Sequence, residues 1–285
     1  MLKKMKASML LSIIVALALL LAGCGTAQDT NTNANSSSNA QAGNGAESSQ
    51  QPVESVELIV SAAASMTDAL TDIQQAFESA NPSITLSFNF GASGALQQQI
   101  EQGAPSDLFL SAAVKNMTAL VDQQLIDASQ QIDLLKNELV VVVPSDASTA
   151  IEKMEDLTKE EVRTVASGIP ESVPAGNYAK EALTNASLWD ALQPKTVQAK
   201  DVRQVLQYVE TGNADAGFVY KTDALTSDKV KVAYMVDEAA YKTIVYPIGI
   251  VKATKHMDEA NTLYQYLQSQ EALDVFVKYG FAVAN

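Results

Sequence analysis

The chain has 285 residues, of which 47% are hydrophobic, and a formal net charge of −14 at pH 7. That hydrophobic content excludes a disordered protein and suffices for one large or two modest folded domains. Only two of the 19 basic side chains are arginines, against 33 acidic ones, so no nucleic-acid-binding surface is expected. One cysteine and one histidine exclude a disulfide framework, a Cys/His zinc site and an iron–sulfur cluster.

The N-terminal segment has the composition of a secretory signal peptide. Three lysines lie among the first six residues, and residues 9–21 form an apolar stretch too short for a comfortable membrane span. The following LAGC, at residues 21–24, resembles the bacterial lipoprotein signal, which implies removal of residues 1–23 and lipidation of Cys24. We therefore expect an extracytoplasmic protein that a lipid anchor holds at a membrane. An ordinary signal peptide with an incidental cysteine is the alternative.

The next segment differs sharply in composition. Residues 25–52 include no aromatic residue and no Leu, Ile, Val or Met. Such a sequence buries too little apolar surface to offset the entropy of ordering, so residues 24–52 are predicted to be a disordered tether with a reach of about 30 Å. Without the three leader lysines, the chain from Cys24 onward has a formal charge of −17. The folded part is expected to begin near Val53.

From Glu57 onward, short apolar runs alternate with amphipathic stretches, which predicts an α/β fold with mostly parallel sheets. The first elements, strands at 58–62 and 84–90 around a helix at 66–80, form a βαβ unit. The remaining elements of this half are a helix at 93–102, a strand at 108–111, a helix at 114–123 and a strongly apolar strand at 139–144.

A second series of elements predicts another lobe. It comprises a strand at 163–166, a helix at 176–187, a strand at 196–199, a helix at 202–211 and a strand at 216–220. An extended segment at 243–251 and helices at 258–269 and 272–279 follow. We expect lobe I to comprise residues 53–140 and 248–285 and lobe II residues 141–247, with two crossing segments and a deep ligand cleft between the lobes.

Two segments, VSAAASM at 60–66 and FGASGAL at 90–96, each place a serine where a strand gives way to a helix. The simplest interpretation is that Ser65 and Ser93 are helix N-caps. Their spacing spans one βαβ unit, so both helix starts are expected side by side at the carboxyl edge of one sheet. The free N–H groups, the helix dipoles and the two hydroxyls then form an anion site that requires no charged side chain.

Lobe II offers comparable features. The sequence around Ala175 begins a helix after a proline, which leaves backbone N–H groups accessible. Asp201 is predicted to cap a helix whose first residue, Val202, has no intrahelical partner for its N–H. Tyr220 ends a strand and is a candidate to place its phenol in the cleft. Ordinary helix starts and a half-buried structural tyrosine are the alternatives.

An ordered set of segments resembles the molybdate-binding proteins of bacterial ABC importers over nearly all of residues 57–283. These segments are AAASMTDAL, FGASGALQQQIEQGAPSDLFLSA, LVVVVP, VPAGNYAKEAL, LWDALQPK, DVRQVL, GFVYKTDA, YPIGIV and VFVKYGF. The resemblance implies a two-lobed, type II periplasmic-binding-protein fold that closes around one molybdate or tungstate ion. It implies a monomer without a cofactor or a free metal cation, with an ABC permease and its ATPase as partners.

Carried over by motif, the resemblance implies five ligand contacts: Ser65, Ser93, Ala175, Val202 and Tyr220. The three hydroxyls and the backbone N–H groups around all but the tyrosine would then surround the anion. Members of this family often have a further Ser or Thr where this chain has Gly94 and Ala95, which argues against an additional hydroxyl contact here.

Two other functions remain open from the sequence. GASGA at 91–95 nearly fits the G-x-S-x-G motif of a serine hydrolase with Ser93 as nucleophile, and His256 is the only histidine available as its base. The other possibility is a binder of sulfate or phosphate. A protonated phosphate requires an acceptor that the predicted contacts lack, and sulfate would have to be excluded by size. Lys200 and Arg203 are the candidates for a positive funnel that attracts the anion.

Overall fold

The computed structural model describes residues 55–284, which form two β-sheets flanked by helices. The strands are β1 (Val56–Ala63), β2 (Ile84–Gly91), β3 (Leu108–Leu110), β4 (Ile126–Asn137), β5 (Leu139–Pro144), β6 (Val165–Gly168), β7 (Thr196–Ala199), β8 (Ala216–Tyr220), β9 (Val230–Met235), β10 (Ile244–Val251) and β11 (Ala282–Val283). The helices are α1 (Thr67–Ala80), α2 (Ser93–Glu101), α3 (Val114–Asp122), α4 (Pro174–Asn185), α5 (Trp189–Leu192), α6 (Val202–Glu210), α7 (Lys221–Ala224), α8 (Met257–Leu267) and α9 (Gln270–Lys278). The predicted signal peptide, Cys24 and the tether lie outside the described residues.

The first sheet has the strand order β11-β4-β10-β3-β1-β2. β1 pairs in parallel with both β2 and β3, whereas the pairs that involve β10 and β11 are antiparallel. The parallel pairing of β1 and β2 brings Ala63 opposite Gly91, so their two carboxyl ends lie side by side. This sheet and its helices form lobe I.

The second sheet has the strand order β7-β6-β8-β5-β9. β6 pairs in parallel with β7 and β8, and β5 pairs antiparallel with β8 and β9. The five residues 139–143 of β5 are all buried, as expected for a strand covered on both faces. This sheet and its helices form lobe II.

The α/β, two-lobed prediction is confirmed, but both sheets are mixed rather than mostly parallel. β4, β9 and β11 were not predicted, and all their pairings are antiparallel, as are the pairings of β10 with β3 and of β5 with β8. β4 and β9 alternate poorly: most of their residues are at least partly exposed, so their sequences lack the apolar period of a strand. The parallel strands were all predicted; Tyr220 lies in one of them, and the other four predicted site residues lie in helical segments that follow strands.

The chain passes from the first sheet to the second between Asn137 and Leu139 and returns between Met235 and Ile244. The predicted lobe boundary at 140/141 therefore lies within β5 of the second sheet, and the boundary at 247/248 lies within β10 of the first sheet. As boundaries between bodies that move, they remain a prediction. Within residues 55–284, no helix is both long and apolar enough to cross a membrane.

Candidate functional site

A small pocket lies where helix starts from both lobes meet. The space among its lining residues, counted together with the open solvent at its mouth, is about 200 Å³. All five sequence-predicted contacts line it, together with seven other small or apolar residues: Ser65, Ser93, Ala175, Val202, Tyr220, Ala63, Ala64, Gly91, Ala92, Ala112, Val173 and Pro174. None of these twelve residues has a charged side chain. The polar groups that face the pocket are therefore hydroxyls and backbone amides.

Ser65 follows the end of β1, in a single 3-10 turn, Ala64–Met66, that leads into α1. The alternative interpretation of Ser65 as an N-cap is wrong, because the side chain makes no cap hydrogen bond to the helix. Its Oγ lies 2.9 Å from the hydroxyl oxygen of Tyr246, and the residue is only 3% exposed. The Ser65 hydroxyl is thus hydrogen-bonded to another side-chain hydroxyl and makes no hydrogen bond to the N-terminus of its own helix.

Ser93 is the first residue of α2, and Ala92, not Ser93, occupies the N-cap position. Its Oγ accepts a hydrogen bond from the N–H of Ala112 at 2.9 Å. Since that bond uses only a lone pair, the hydroxyl hydrogen of Ser93 remains available to a ligand. Ala112 was missed by the sequence analysis; the signal was a third strand end followed by small residues, LSAA after β3, in the same local design as the two serine segments.

Tyr220 is the last residue of β8, and its side chain is buried. Among the residues of the described part of the chain, its hydroxyl has no hydrogen-bond partner. Burial raises the pKa of Tyr220 well above its ordinary value, so the phenol stays protonated and can donate. A buried hydroxyl without a protein partner is unusual, so this group is free to bind a ligand or a water.

Ala175 and Val202 present helix N-termini from lobe II. Ala175 is the second residue of α4, which begins with Pro174, and Val202 is the first residue of α6. The predicted cap is confirmed: Asp201 accepts a hydrogen bond from the N–H of Gln204 at 2.8 Å. The first N–H groups of both helices have no acceptor within their own helices. Together with the start of α2, they direct positive dipole ends toward the pocket.

Gly176 explains how α4 comes so close to β6. A Cβ at this position would lie 2.0 Å from the carbonyl oxygen of Gly168, the last residue of that strand. Any larger residue would push the helix start away. The glycine of the VPAGN segment therefore sets the position of Ala175 relative to the pocket.

Two contacts join the lobes beside the pocket. The N–H of Gly94 in α2 donates to the carbonyl of Ser172 at 3.0 Å. Arg203 of α6 pairs with Asp68 of α1 at 2.5 Å and with the fully buried Asp223 at 2.7 Å. Arg203 and Lys200, the candidates for a positive funnel, line a separate open groove and not the pocket.

The arrangement around Ser93 differs from that of a hydrolase. His256 lines another cavity, together with Asp107 and other residues of lobe I, and Ser93 does not line that cavity. The atom bonded to Ser93 Oγ is a backbone nitrogen, which cannot remove a proton. A hydrolase nucleophile needs a base within hydrogen-bond reach.

Comparisons with known proteins identify the family of the chain. Residues 58–282 match the family described as "Bacterial extracellular solute-binding protein". The Bacillus subtilis protein named "Putative ABC transporter substrate-binding lipoprotein YvgL" is 52% identical over 82% of this chain and 90% of its own length. Molybdate-binding protein ModA of Haemophilus influenzae is 38% identical over 80% of this chain and 91% of its own length.

Among solved structures, one titled "substrate binding domain of putative molybdenum ABC transporter from Clostridium difficile" is 44% identical, with a TM-score of 0.63. It covers 81% of this chain and is itself covered completely. These relatives are named for binding solutes and not for catalysis. The family match over residues 58–282 includes strands of both sheets and every residue that lines the pocket. The chain belongs to the family of bacterial extracellular solute-binding proteins.

Proposed function

We propose that this protein binds molybdate, and also tungstate, outside the cytoplasm and delivers the anion to an ABC permease and its ATPase. The observation that carries the proposal is the uncharged pocket, in which the hydroxyls of Ser65, Ser93 and Tyr220 and the helix starts at Ala175 and Val202 surround one small space. The names of the ModA relative and of the Clostridium difficile structure support the choice of ligand.

The donor set explains which anions suit the pocket. Ser93 Oγ accepts from a backbone N–H, which leaves its own hydrogen free, Ser65 Oγ has the Tyr246 hydroxyl as its partner, and the Tyr220 hydroxyl has no partner in residues 55–284. A fully deprotonated tetrahedral anion accepts hydrogen bonds on every oxygen and matches this set. A protonated phosphate needs an acceptor, and no carboxylate lines the pocket. Sulfate has the same charge and shape as molybdate, so cavity size has to distinguish the two.

Neutral donors are sufficient for a dianion. Hydrogen bonds to a charged group are worth about 1.5–3 kcal/mol each, and they are stronger in a site that excludes water. Helix N-termini add the attraction of their positive dipole ends. We infer that the protein has no catalytic step and that Ser93 acts as a ligand donor, because its Oγ is bonded to the N–H of Ala112 and no base contacts it among the described residues.

We further propose that Cys24 is lipidated and anchors a monomer, with residues 24–52 as a tether. The word lipoprotein in the name of the Bacillus subtilis relative supports the anchor. Expression of a Cys24→Ser variant in a bacterial host tests it. The wild-type protein should be found in the membrane fraction and the variant outside it; equal membrane association of both would contradict the anchor.

Isothermal titration of a soluble form that begins near Val53 tests the ligand. The proposal predicts one-to-one binding of molybdate and tungstate and no binding of sulfate or phosphate. Binding of sulfate with equal affinity would make the protein a general oxyanion binder. If none of the four anions binds, labelling of Ser93 by a fluorophosphonate probe would favour a hydrolase instead.

A further inference from the structure

The hydroxyl of Tyr246 lies directly behind the pocket. Its oxygen is 2.9 Å from Ser65 Oγ and 3.2 Å from Asn137 Nδ2. The side chain is completely buried and does not line the pocket itself. Asn137 is the last residue of β4 before the chain crosses to lobe II, and Tyr246 is the third residue of β10 after its return. Tyr246 therefore connects a pocket serine to the junction between the lobes.

The amide of Asn137 has only one orientation that satisfies its neighbours. Its Oδ1 accepts the N–H of Glu138 at 2.9 Å, so its Nδ2 faces the opposite side. There Nδ2 donates to the hydroxyl of Tyr246 and, at 2.9 Å, to Thr222 Oγ1 in α7 of lobe II. An amide nitrogen can only donate, so the Tyr246 oxygen is the acceptor in its contact with Asn137.

This orientation fixes the direction of the next hydrogen bond. Tyr246 has a single hydroxyl hydrogen, and of its hydrogen-bond partners Ser65 Oγ and Asn137 Nδ2 only the serine oxygen can accept it. Burial raises the pKa of Tyr246 well above its ordinary value, so this hydrogen is present throughout the physiological pH range. Ser65 therefore accepts from Tyr246, and its own hydrogen has to point elsewhere.

We propose that Tyr246, oriented by Asn137, is a positioning residue that commits the Ser65 hydroxyl to donate into the anion pocket. A serine without this partner can rotate and offer the ligand either a hydrogen or a lone pair, and a lone pair repels an oxyanion. The N–H of Ala112 orients Ser93 in the same way, because it donates to Ser93 Oγ and leaves the serine hydrogen for the ligand. The inference rests on the proposed function, because it requires an oxyanion in the pocket.

A double-mutant cycle between Tyr246→Phe and Ser65→Ala tests the proposal, with the affinity for molybdate as the readout. Phenylalanine keeps the ring, which packs edge-on against Tyr220 and Phe281, and removes only the hydroxyl. Tyr246→Phe alone should weaken molybdate binding about tenfold. In the Ser65→Ala background the same change should have an effect below about twofold, because the group through which Tyr246 acts is already absent.

The matched control is Tyr241→Phe. The hydroxyl of Tyr241 also lies near the lobe junction, where it accepts the N–H of Leu139 at 3.1 Å, but it does not contact a pocket serine. This variant should bind molybdate within about twofold of the wild type. If Tyr246→Phe does not fold, Asn137→Ala replaces it, and its loss of affinity should again disappear when Ser65 is alanine.

The outcomes separate this inference from the proposed function. Wild-type affinity in Tyr246→Phe, or an equal loss with and without the Ser65 hydroxyl, would overturn the role of Tyr246 while leaving molybdate binding intact. A wild-type protein that binds no oxyanion would overturn the proposed function and this inference together. Coupling between the two substitutions, with the Tyr241→Phe control unchanged, supports both.

Discussion

Arg203 of lobe II reaches across the cleft to Asp68 of lobe I, with 2.5 Å between Nη2 and Oδ2. The same guanidinium contacts the buried carboxylate of Asp223 through Nε, at 2.7 Å. Arg203 is thus anchored in its own lobe by one carboxylate and bonded to the other lobe by a second. Because Asp68 is partly exposed and the two residues belong to different lobes, we expect opening of the predicted cleft to break this pair, which we call the clasp.

Asp68→Asn should therefore speed ligand release. A partly exposed ion pair is worth little, so the dissociation rate of molybdate should rise about two- to fivefold while the free energy of unfolding hardly changes. Stopped-flow fluorescence measures the rate. Asp72→Asn is the control, one helical turn further along α1, because Asp72 pairs with Lys278 and Tyr279 of its own lobe. An equal effect of both substitutions would contradict the clasp.

The two pocket serines should each matter for affinity. Ser65→Ala and Ser93→Ala each remove one hydrogen bond to a charged ligand, which should cost about 1–3 kcal/mol of binding free energy. Ser61→Ala is the matched control: this buried serine of β1 accepts from Ser106 Oγ at 3.0 Å and does not line the pocket. Calorimetry in which both pocket variants match the wild type would remove these residues from the site.

Tyr220→Phe should separate binding from stability. The phenol is buried and has no partner in residues 55–284, so its removal leaves no protein group unpaired. The melting temperature of the ligand-free protein should stay the same or rise slightly. The affinity for molybdate should fall about tenfold or more, since one donor to the dianion is lost. A large loss of stability with unchanged affinity would show that Tyr220 is structural.

Between pH 4 and pH 7, the free energy of unfolding should depend on the protonation of Asp223. Burial raises the pKa of this carboxyl from 3.8 to about 6, although Arg203 opposes the shift. A raised native pKa means that the folded state binds more protons, so this group's contribution to stability is complete below pH 3.8 and declines as the pH rises to about 6.

Urea unfolding of the wild type and of Asp223→Asn at pH 4 and pH 7 measures this contribution. The asparagine cannot titrate, so the stability difference between the two proteins should shift in favour of the variant at pH 7, by up to about 3 kcal/mol. A difference that does not depend on pH would show that Asp223 has an ordinary pKa in the folded protein.

The sequence predicted the strands and helices that form the pocket because the signals for a strand end and for a helix start are both local. A strand end followed by small residues and a helix start can be read within ten residues, as at Ser65 and Ser93. The long strand β4 was missed because its exposed positions are polar and its buried ones are few. Its pairing with β10 depends on residues more than a hundred positions away.

The orientation of the serine hydroxyls could not be predicted for the same reason. Ser65 and Tyr246 are 181 positions apart in the sequence, and only the antiparallel return of β10 through the first sheet brings them together. The alternative interpretation of both serines as N-caps was wrong, because their hydroxyls bond to Tyr246 and to the N–H of Ala112 instead. Local pattern thus located the site, while tertiary contacts determined how its hydroxyls are used.

A crystal structure with molybdate, with anomalous diffraction recorded at the molybdenum edge, tests the central claim most directly. The account predicts one strong anomalous peak within hydrogen-bond distance of the hydroxyls of Ser65, Ser93 and Tyr220 and of the helix starts at Ala175 and Val202. A peak in the groove beside Lys200 and Arg203, or no peak in a crystal soaked well above the measured dissociation constant, would contradict it.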